Sequence, residues 1–419
     1  MKEQHQNKRT LCVIAGVLIM LMSGFVYAWS VIAKPIAASR LEWTAGSLSF
    51  TFTLVMTCFC AGGLIAGFAG NKLSTKAYVL IGGVLFLGGF LLASLTGGSV
   101  ALLYVGIGIM CGFGAGVVYN VVMSTMSAWY PHKQGMISGI MMMGFGLSSF
   151  FFGKIFSAVT PSDGTDGWKV TFRMLAVVIF AVVFVCAFLV RLPGESYQTP
   201  QAKKKKREPA LEAAPGTMVK MPVFWLYYIW SCLIGAGCLA VVSQGAGIAA
   251  EAIPTLSAGT IATAVGLISL FNGIGRVIFG ALFDRAGYRV TMILDMAVFL
   301  CSLLLIGAAI MTGSFGVLLG GFIACGLAYG GVTPMASAVV SDFFGRKNYS
   351  RNFSIITTTL MVSSVSSTIA GHLYDGSGSY GSTICMAVAM LLAGIAMSCF
   401  IRRPGKSRNS SEPKNEKKK

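Results

Sequence analysis

Apolar runs long enough to cross a bilayer recur along the whole chain, and that recurrence limits the fold before any motif is read. They lie at about 11–33, 47–70, 77–97, 99–128, 134–160 and 168–191, and after a polar break at 223–250, 258–283, 289–311, 314–341, 353–375 and 381–401. A helix needs roughly 20 apolar residues to span the hydrocarbon core. Lipid offers no partner for backbone N–H and C=O groups, so each run must satisfy its own as a helix. Charged residues make up 11 % of the chain, where a soluble domain has about 25 %. The 419 residues therefore read as one all-α membrane protein of twelve transmembrane helices in two six-helix bundles, not as soluble domains. The first run is too long for a signal-peptide core, lacks a small-x-small cleavage site, and is followed by further spans.

The polar break carries Lys203-Lys204-Lys205-Lys206-Arg207 together with Pro200, Pro209 and Pro215. It divides the chain into a bundle over 1–191, a cytoplasmic linker over 192–222, a second bundle over 223–401 and a basic tail over 402–419. The linker reads as solvated, its charge run as a topology signal that can touch anionic lipid; the tail reads as disordered. The net charge of +18 does not indicate nucleic-acid binding, because the cations sit between spans without interleaved aromatics. With the runs alternating in direction, all of the 32 Lys and Arg fall on one side except Lys34, Arg40, Lys154, Lys169, Arg173 and Arg276. The positive-inside rule then puts both termini in the cytoplasm and the chain in the plasma membrane. All eleven cysteines lie within apolar runs, so neither disulfides nor a metal site is expected. No nucleophile–base set or phosphate loop appears, and Gly112-x-Gly114-x-Gly116 lacks the strand a nucleotide fingerprint needs. The expectation is a monomeric non-enzyme without a cofactor.

One charge stands deep in a span. Arg276 lies eight residues before Asp284, about 12 Å along a helix. A cation at mid-bilayer costs roughly 2.5–3.5 kcal/mol even on lenient scales, so it needs water, a partner or an anion. Arg276 reads as the anchor of an anion site; the alternative is a structural arginine held by backbone carbonyls. Of the other charges in or near spans, Glu251 and Asp375 read as solvated helix ends and Asp295 as half of a structural ion pair. Lys154 reads as a snorkelling group or an anion guide at the outer mouth.

The halves echo each other. Gly67…Asn71-Lys72 and Gly280…Asp284-Arg285 are 213 residues apart; Cys111-Gly112 and Cys325-Gly326, and Trp129…Lys133 and Phe343…Lys347, are 214 apart. Duplicated transporter halves place the substrate site between the repeats at the midplane. Gly280-x-x-x-Asp284-Arg285-x-Gly287-x-Arg289 resembles the cytoplasmic signature of the major facilitator superfamily; the first copy is degraded at Asn71 and Ser74. Within that superfamily, four stretches resemble the oxalate–formate antiporter and monocarboxylate-transporter family. They are Ser23 to Trp29, Tyr119 with Trp129 to Gly135, Leu270 to Arg276, and Ser350-Arg351-Asn352.

The resemblance implies secondary transport of a small carboxylate, with Arg276 binding it and Tyr27, Tyr119 and Tyr329 lining a central cavity. Asn272, one turn before Arg276, resembles the place where animal monocarboxylate transporters have an aspartate; an amide carries no proton. Asn120 is a further candidate. The oxalate transporters of that family carry a lysine in helix 11 as a second cation; its position here is at or next to Leu360, within Thr357-Thr358-Thr359-Leu360, where no lysine lies. Leaving one carboxylate of a dianion unpaired would be costly, so a monocarboxylate such as formate, lactate or pyruvate is expected. Asp284, Arg285, Asp342, Arg346 and Arg351 are expected to form an ion-pair network that closes the inner gate. The rivals are a dicarboxylate exchanger, a drug carrier and a membrane sensor. Helix 5 lacks the proline usual in drug exporters, and neither linker nor tail is long enough for an output domain.

Overall fold

In a computed structural model of the chain, the described residues are 2–25, 29, 32, 36, 39, 43, 45–160, 166–193 and 209–405. Tyr27, the run Lys203 to Arg207, the tail from 406 onward and the side chains of Asn71 and Lys154 lie outside them. The helices are α1 (Lys2–Ser23), α2 (Ala45–Ala69), α3 (Thr75–Ser94), α4 (Ala101–Trp129), α5 (Gln134–Val159) and α6 (Gly167–Ala187). After the linker come α7 (Pro222–Ala252), α8 (Ala258–Ala286), α9 (Tyr288–Thr312), α10 (Phe315–Phe343), α11 (Tyr349–Ser377) and α12 (Gly381–Phe400). Among the described residues ten of these are long and apolar enough to cross a membrane, and α1 adds a shorter apolar stretch, Arg9–Ser23. The molecule is an all-α, multi-pass membrane protein.

Three local features were not legible in the apolar pattern. Helix α8 runs on to Ala286, so Asp284 sits in its last turn and not in a loop; Gly287, at φ 82°, then reverses the chain into α9. The segment Tyr104–Cys111 of α4 is π-helical. Helix α11 is interrupted at Thr358. There the hydroxyls of Thr357, Thr358 and Thr359 donate back to the carbonyls of Phe353, Ile355 and Ile356 at 2.8, 2.7 and 2.8 Å, a back-bonding pattern that bends helices.

The repeat is visible as packing. A Cβ on Gly112 or Gly116 of α4 would strike the carbonyl oxygen of Val55 or Phe59 on α2. Their counterparts 214 residues on, Gly326 and Gly330 of α10, stand against the carbonyls of Ile268 and Asn272 on α8. Without a hydrophobic force between helices in lipid, such close backbone approach is what holds them together. Aromatic rings fill the first half, with Phe25 5.6 Å from Phe86 and 4.9 Å from Phe90. In the second half fully buried Trp230 donates to the sulfur of Met296 at 3.4 Å. Apolar side chains on the outer faces, such as Leu304 and Phe400, point outward to lipid. The end of the linker departs from expectation: Ala210, Ala213 and Met218 are buried, so this part is packed and not solvated.

Candidate functional site

The two halves meet at the end of the molecule that carries the α4–α5, α8–α9 and α10–α11 turns, here called the basic end. Gly135 at the start of α5 and Gly280 on α8 are in backbone contact, each leaving no room for a Cβ on the other. Asp284 accepts the Gly135 and Met136 N–H groups at 2.9 and 2.8 Å. Those are free donors of the first turn of α5, whose dipole favours a carboxylate. On the opposite flank Asn120 of α4 and Ser350 of α11 bond reciprocally: the amide donates to the Ser350 carbonyl at 3.1 Å, and the Ser350 hydroxyl donates to the amide oxygen at 2.6 Å. Gly67 on α2 packs against Ser350 and Ser354 there. Between the flanks, Ser337 of α10 bonds to Ser138 of α5 and to Tyr349 of α11, and Gln134 donates to it at 3.4 Å. Packing of α5 on α8 continues to Leu147 and Gly273. Two turns beyond, no described atom lies within 4 Å of where a Gly266 Cβ would stand. The bundles are closed at the basic end.

The five residues expected to form an ion-pair network do not pair with one another at contact distance. Asp284 caps α5, and Asp342 pairs with Arg403 at 2.8 Å. Arg285 is exposed, and the guanidinium of Arg351 lies against Gly70 at the end of α2. Arg346 stays in the electrostatic neighbourhood: burial pulls its pKa below the ordinary arginine value, while the carboxylates of Glu212, Asp342 and Asp284 act the other way. The reason for the difference is that Asp284 is used on backbone N–H groups and Asp342 on Arg403, outside the expected set. Glu212 shows the same habit as Asp284. It accepts the N–H groups of Arg346 and Lys347 at 3.1 and 2.9 Å. Ala210 and Ala213 donate to the carbonyls of Asp342 and Phe344, each at 2.8 Å, and Asn348 and Asn352 donate to the Ala213 carbonyl. The linker end is thus a strap on the turn that presents Ser350. Nothing in a Pro-rich, charged stretch pointed to Glu212.

Two predictions follow from this closure. Asp284→Asn leaves only one acceptor for two helix-end donors, and a hydrogen bond to a charged group is worth about 1.5–3 kcal/mol. Electron-spin distance measurements between labels at His132 and Lys347 should therefore show a longer component; an unchanged distribution would place the closure elsewhere. Glu212→Ala should speed amide hydrogen exchange at Arg346 and Lys347 by about tenfold, and equal exchange in both proteins would show that the strap does not hold the turn.

Arg276 is 4 % exposed. Its Nε donates to the Asn272 side-chain oxygen at 2.9 Å and its Nη1 to the Met142 carbonyl of α5 at 2.7 Å. Gly139 and Gly146 of α5 make room for it: one meets the Arg276 backbone, the other stands about a carbon's contact from the guanidinium. Among the described residues Nη2 has no hydrogen-bond partner and no acid pairs with the side chain. Asp295, expected in a structural ion pair, is fully buried, and neither of its oxygens has a hydrogen-bond partner. It packs against Gly331 of α10 instead of a cation. Glu251 is half-buried and engaged at its helix end: it accepts from Ser379 and from the Tyr380 N–H at 2.6 Å each. Asp375 is exposed.

A cavity of about 20 Å³ lies between α4, α7, α10 and α11, room for little more than one water. Tyr119 and Tyr329 both line it, and Leu360 stands on its wall. Tyr119 also stacks on Phe353 of α11, 5.8 Å between centroids. Arg276 and Asn272 are not on that wall; they face α5. Asn120 is not on it either, being engaged with Ser350 at the closed end. Sequence reasoning missed the wall's serines and threonines, since such residues in spans serve as helix glue everywhere.

Residues 15–297 and 244–419 match the Major Facilitator Superfamily. The chain is 26 % identical over 352 residues to the oxalate:formate antiporter of Oxalobacter formigenes, covering 83 % of this chain and 80 % of that one. It is 21 % identical over 373 residues to monocarboxylate transporter 11 of Homo sapiens, covering 87 % and 76 %. The structure of the proton:xylose symporter XylE bound to 6-bromo-6-deoxy-D-glucose shares the fold, with a TM-score of 0.71 over 96 % of this chain and 98 % of that chain, at 14 % identity.

Proposed function

The chain belongs to the major facilitator superfamily, and on that footing we propose that it carries small monocarboxylates across the plasma membrane by alternating access, with Arg276 binding the carboxylate. The observation that carries this reading is Arg276 itself. A guanidinium buried at mid-span, unpaired with any described acid and with Nη2 unused among the described residues, is a group that an anionic ligand would neutralise. Its planar fork fits a carboxylate, and Asn272 and the Met142 carbonyl fix its direction. The relatives named an oxalate:formate antiporter and a monocarboxylate transporter support a carboxylate cargo.

The Lys and Arg bias makes the basic end cytoplasmic, with both termini inside. The form described here is then shut to the cytoplasm, and rocking of the bundles about the midplane would break the Gly135–Gly280 and Asn120–Ser350 contacts. The protein works as an exchanger or uniporter: no carboxylate stands at mid-depth in α1, α4, α7, α8, α10 or α11 to carry a proton.

A dicarboxylate exchanger is the second reading, favoured by the identity to the oxalate:formate antiporter. Leu360 on the cavity wall weighs against it, because no second cation is offered there. The test is uptake of labelled formate, lactate, pyruvate and oxalate into proteoliposomes. Uptake of the monocarboxylates with slower oxalate uptake is expected. Faster oxalate uptake would establish the second reading, and exclusion of all four acids would end both.

A further inference from the structure

Positive charge without acids around it is concentrated at the basic end of the first half. The segments that end there, residues 1–12, 70–78, 127–135 and 186–193, carry seven Lys and Arg and a single acid, Glu3. At the same end of the second half acids are packed among the cations. Asp342 holds Arg403, and Arg346 lies in the field of Glu212, Asp342 and Asp284.

Three of the first-half cations are gathered around the end of α6, against which both α1 and α3 pack. The Arg9 guanidinium of α1 lies over the Tyr130 ring, 3.7 Å from its centroid, and Lys76 Nζ of α3 lies over the Phe188 ring at 3.7 Å. Arg191 follows α6. Its carbonyl accepts Trp129 Nε1 at 2.7 Å and the Cys12 thiol at 3.7 Å, which holds it about one turn along α1 from Arg9. Aromatic faces fix the place of a cation without neutralising it. Among the described residues no acid pairs with any of the three. Arg9 Nε is also shut from solvent with no hydrogen-bond partner, and a buried donor left unmade is destabilising. The corner therefore suits an anion.

The outer face of α6 says what kind. Phe180, Phe184 and Phe188 form a ladder of rings with centroids 5.7 and 5.3 Å apart, which starts under Lys76 and runs into the span. Phe184, Phe188 and Leu192 are exposed. A soluble anion would use the cations alone, whereas a ligand with a charged head and an apolar chain uses both parts.

We propose that Arg9, Lys76 and Arg191, with the ring ladder of α6, form a binding site for one anionic phospholipid, its phosphate held by the cations and an acyl chain lying along Phe188 and Phe184. The site stands apart from Arg276 and does not depend on what the protein carries. Each cation at the membrane surface favours anionic lipid by about fivefold.

The test is native mass spectrometry of the whole protein from mixed micelles holding equal amounts of phosphatidylglycerol and phosphatidylcholine with the same chains. The readout is the ratio of the two lipids retained by one protein sample, so folding and yield cancel. Wild type should retain the anionic lipid by about tenfold or more, and Lys76→Gln with Arg191→Gln should lower that ratio at least about fivefold. Lys76→Arg with Arg191→Lys should keep it. Arg285→Gln with Lys347→Gln removes the same charge from the same end of the second half and should leave the ratio unchanged. A wild-type ratio near one overturns the site. So does an equal fall in both glutamine pairs, which makes the preference a matter of net charge. Survival of the full ratio in Lys76→Gln with Arg191→Gln overturns it as well, and leaves Lys203 to Arg207 as the source. Displacement of the lipid by a tenfold excess of inorganic phosphate would make the ligand a soluble anion and overturn the lipid.

Discussion

Arg276→Gln is expected to lower carboxylate uptake by about a hundredfold or more. Truncating one partner of a buried, hydrogen-bonded charge pair costs about 2–5 kcal/mol, much of it from the charge left unpaired. Here that charge is the cargo's own. The loss should fall on transport and not on folding. Arg276 donates to Asn272 and to the Met142 carbonyl, and a glutamine amide can still donate to either. Arg276→Lys keeps the charge but not the fork, and a point charge on a flexible stem does not replace bidentate geometry; it should retain partial uptake. Rates are compared per reconstituted protein. Wild-type uptake by the glutamine variant would make Arg276 a structural arginine held by carbonyls.

The second large effect is expected from a single methyl group. Gly280→Ala puts a Cβ onto the Gly135 carbonyl, and Gly135→Ala does the same in return. Both obstacles are backbone, so no side chain can rotate away. Overpacking of this kind typically costs about 1–3 kcal/mol. Because the contact joins two bundles that separate during transport, the cost should fall on the closed arrangement and not on the fold. A shift of about 5–150-fold toward the form open at the basic end is expected. The same spin-label distances at His132 and Lys347 read it, and uptake should fall with it. Gly266→Ala, on the same face of α8 with no described atom near its Cβ, is the control and should change neither. Unaltered distances in Gly280→Ala would mean the bundles do not close through this contact.

The spanning helices were legible because lipid enforces their length and their internal hydrogen bonding. A span must be about twenty apolar residues long, and the repeat preserved the glycines on which α4 meets α2 and α10 meets α8. The signature around Asp284 was legible as a turn, but its chemistry was not. Charge pairs suggest ion pairs, whereas the folded chain spends Asp284 on the free N–H groups of α5, which carry no sequence mark of their own. The same blindness hid Glu212. The place of Arg276 in a span was readable from spacing. Its partners were not, since a backbone carbonyl such as that of Met142 is anonymous in sequence. Asp295 was misread because proximity to basic turns along the chain said nothing of the face of α9 that packs on Gly331.

The most direct measurement is of binding without transport. Thermal unfolding of the detergent-solubilised protein should move upward with added pyruvate, lactate or formate in wild type, because a ligand that binds only the folded state stabilises it by mass action. Arg276→Gln should show no shift over the same concentrations while unfolding near the wild-type temperature in their absence. Equal shifts in the two proteins would contradict the assignment of the carboxylate to Arg276.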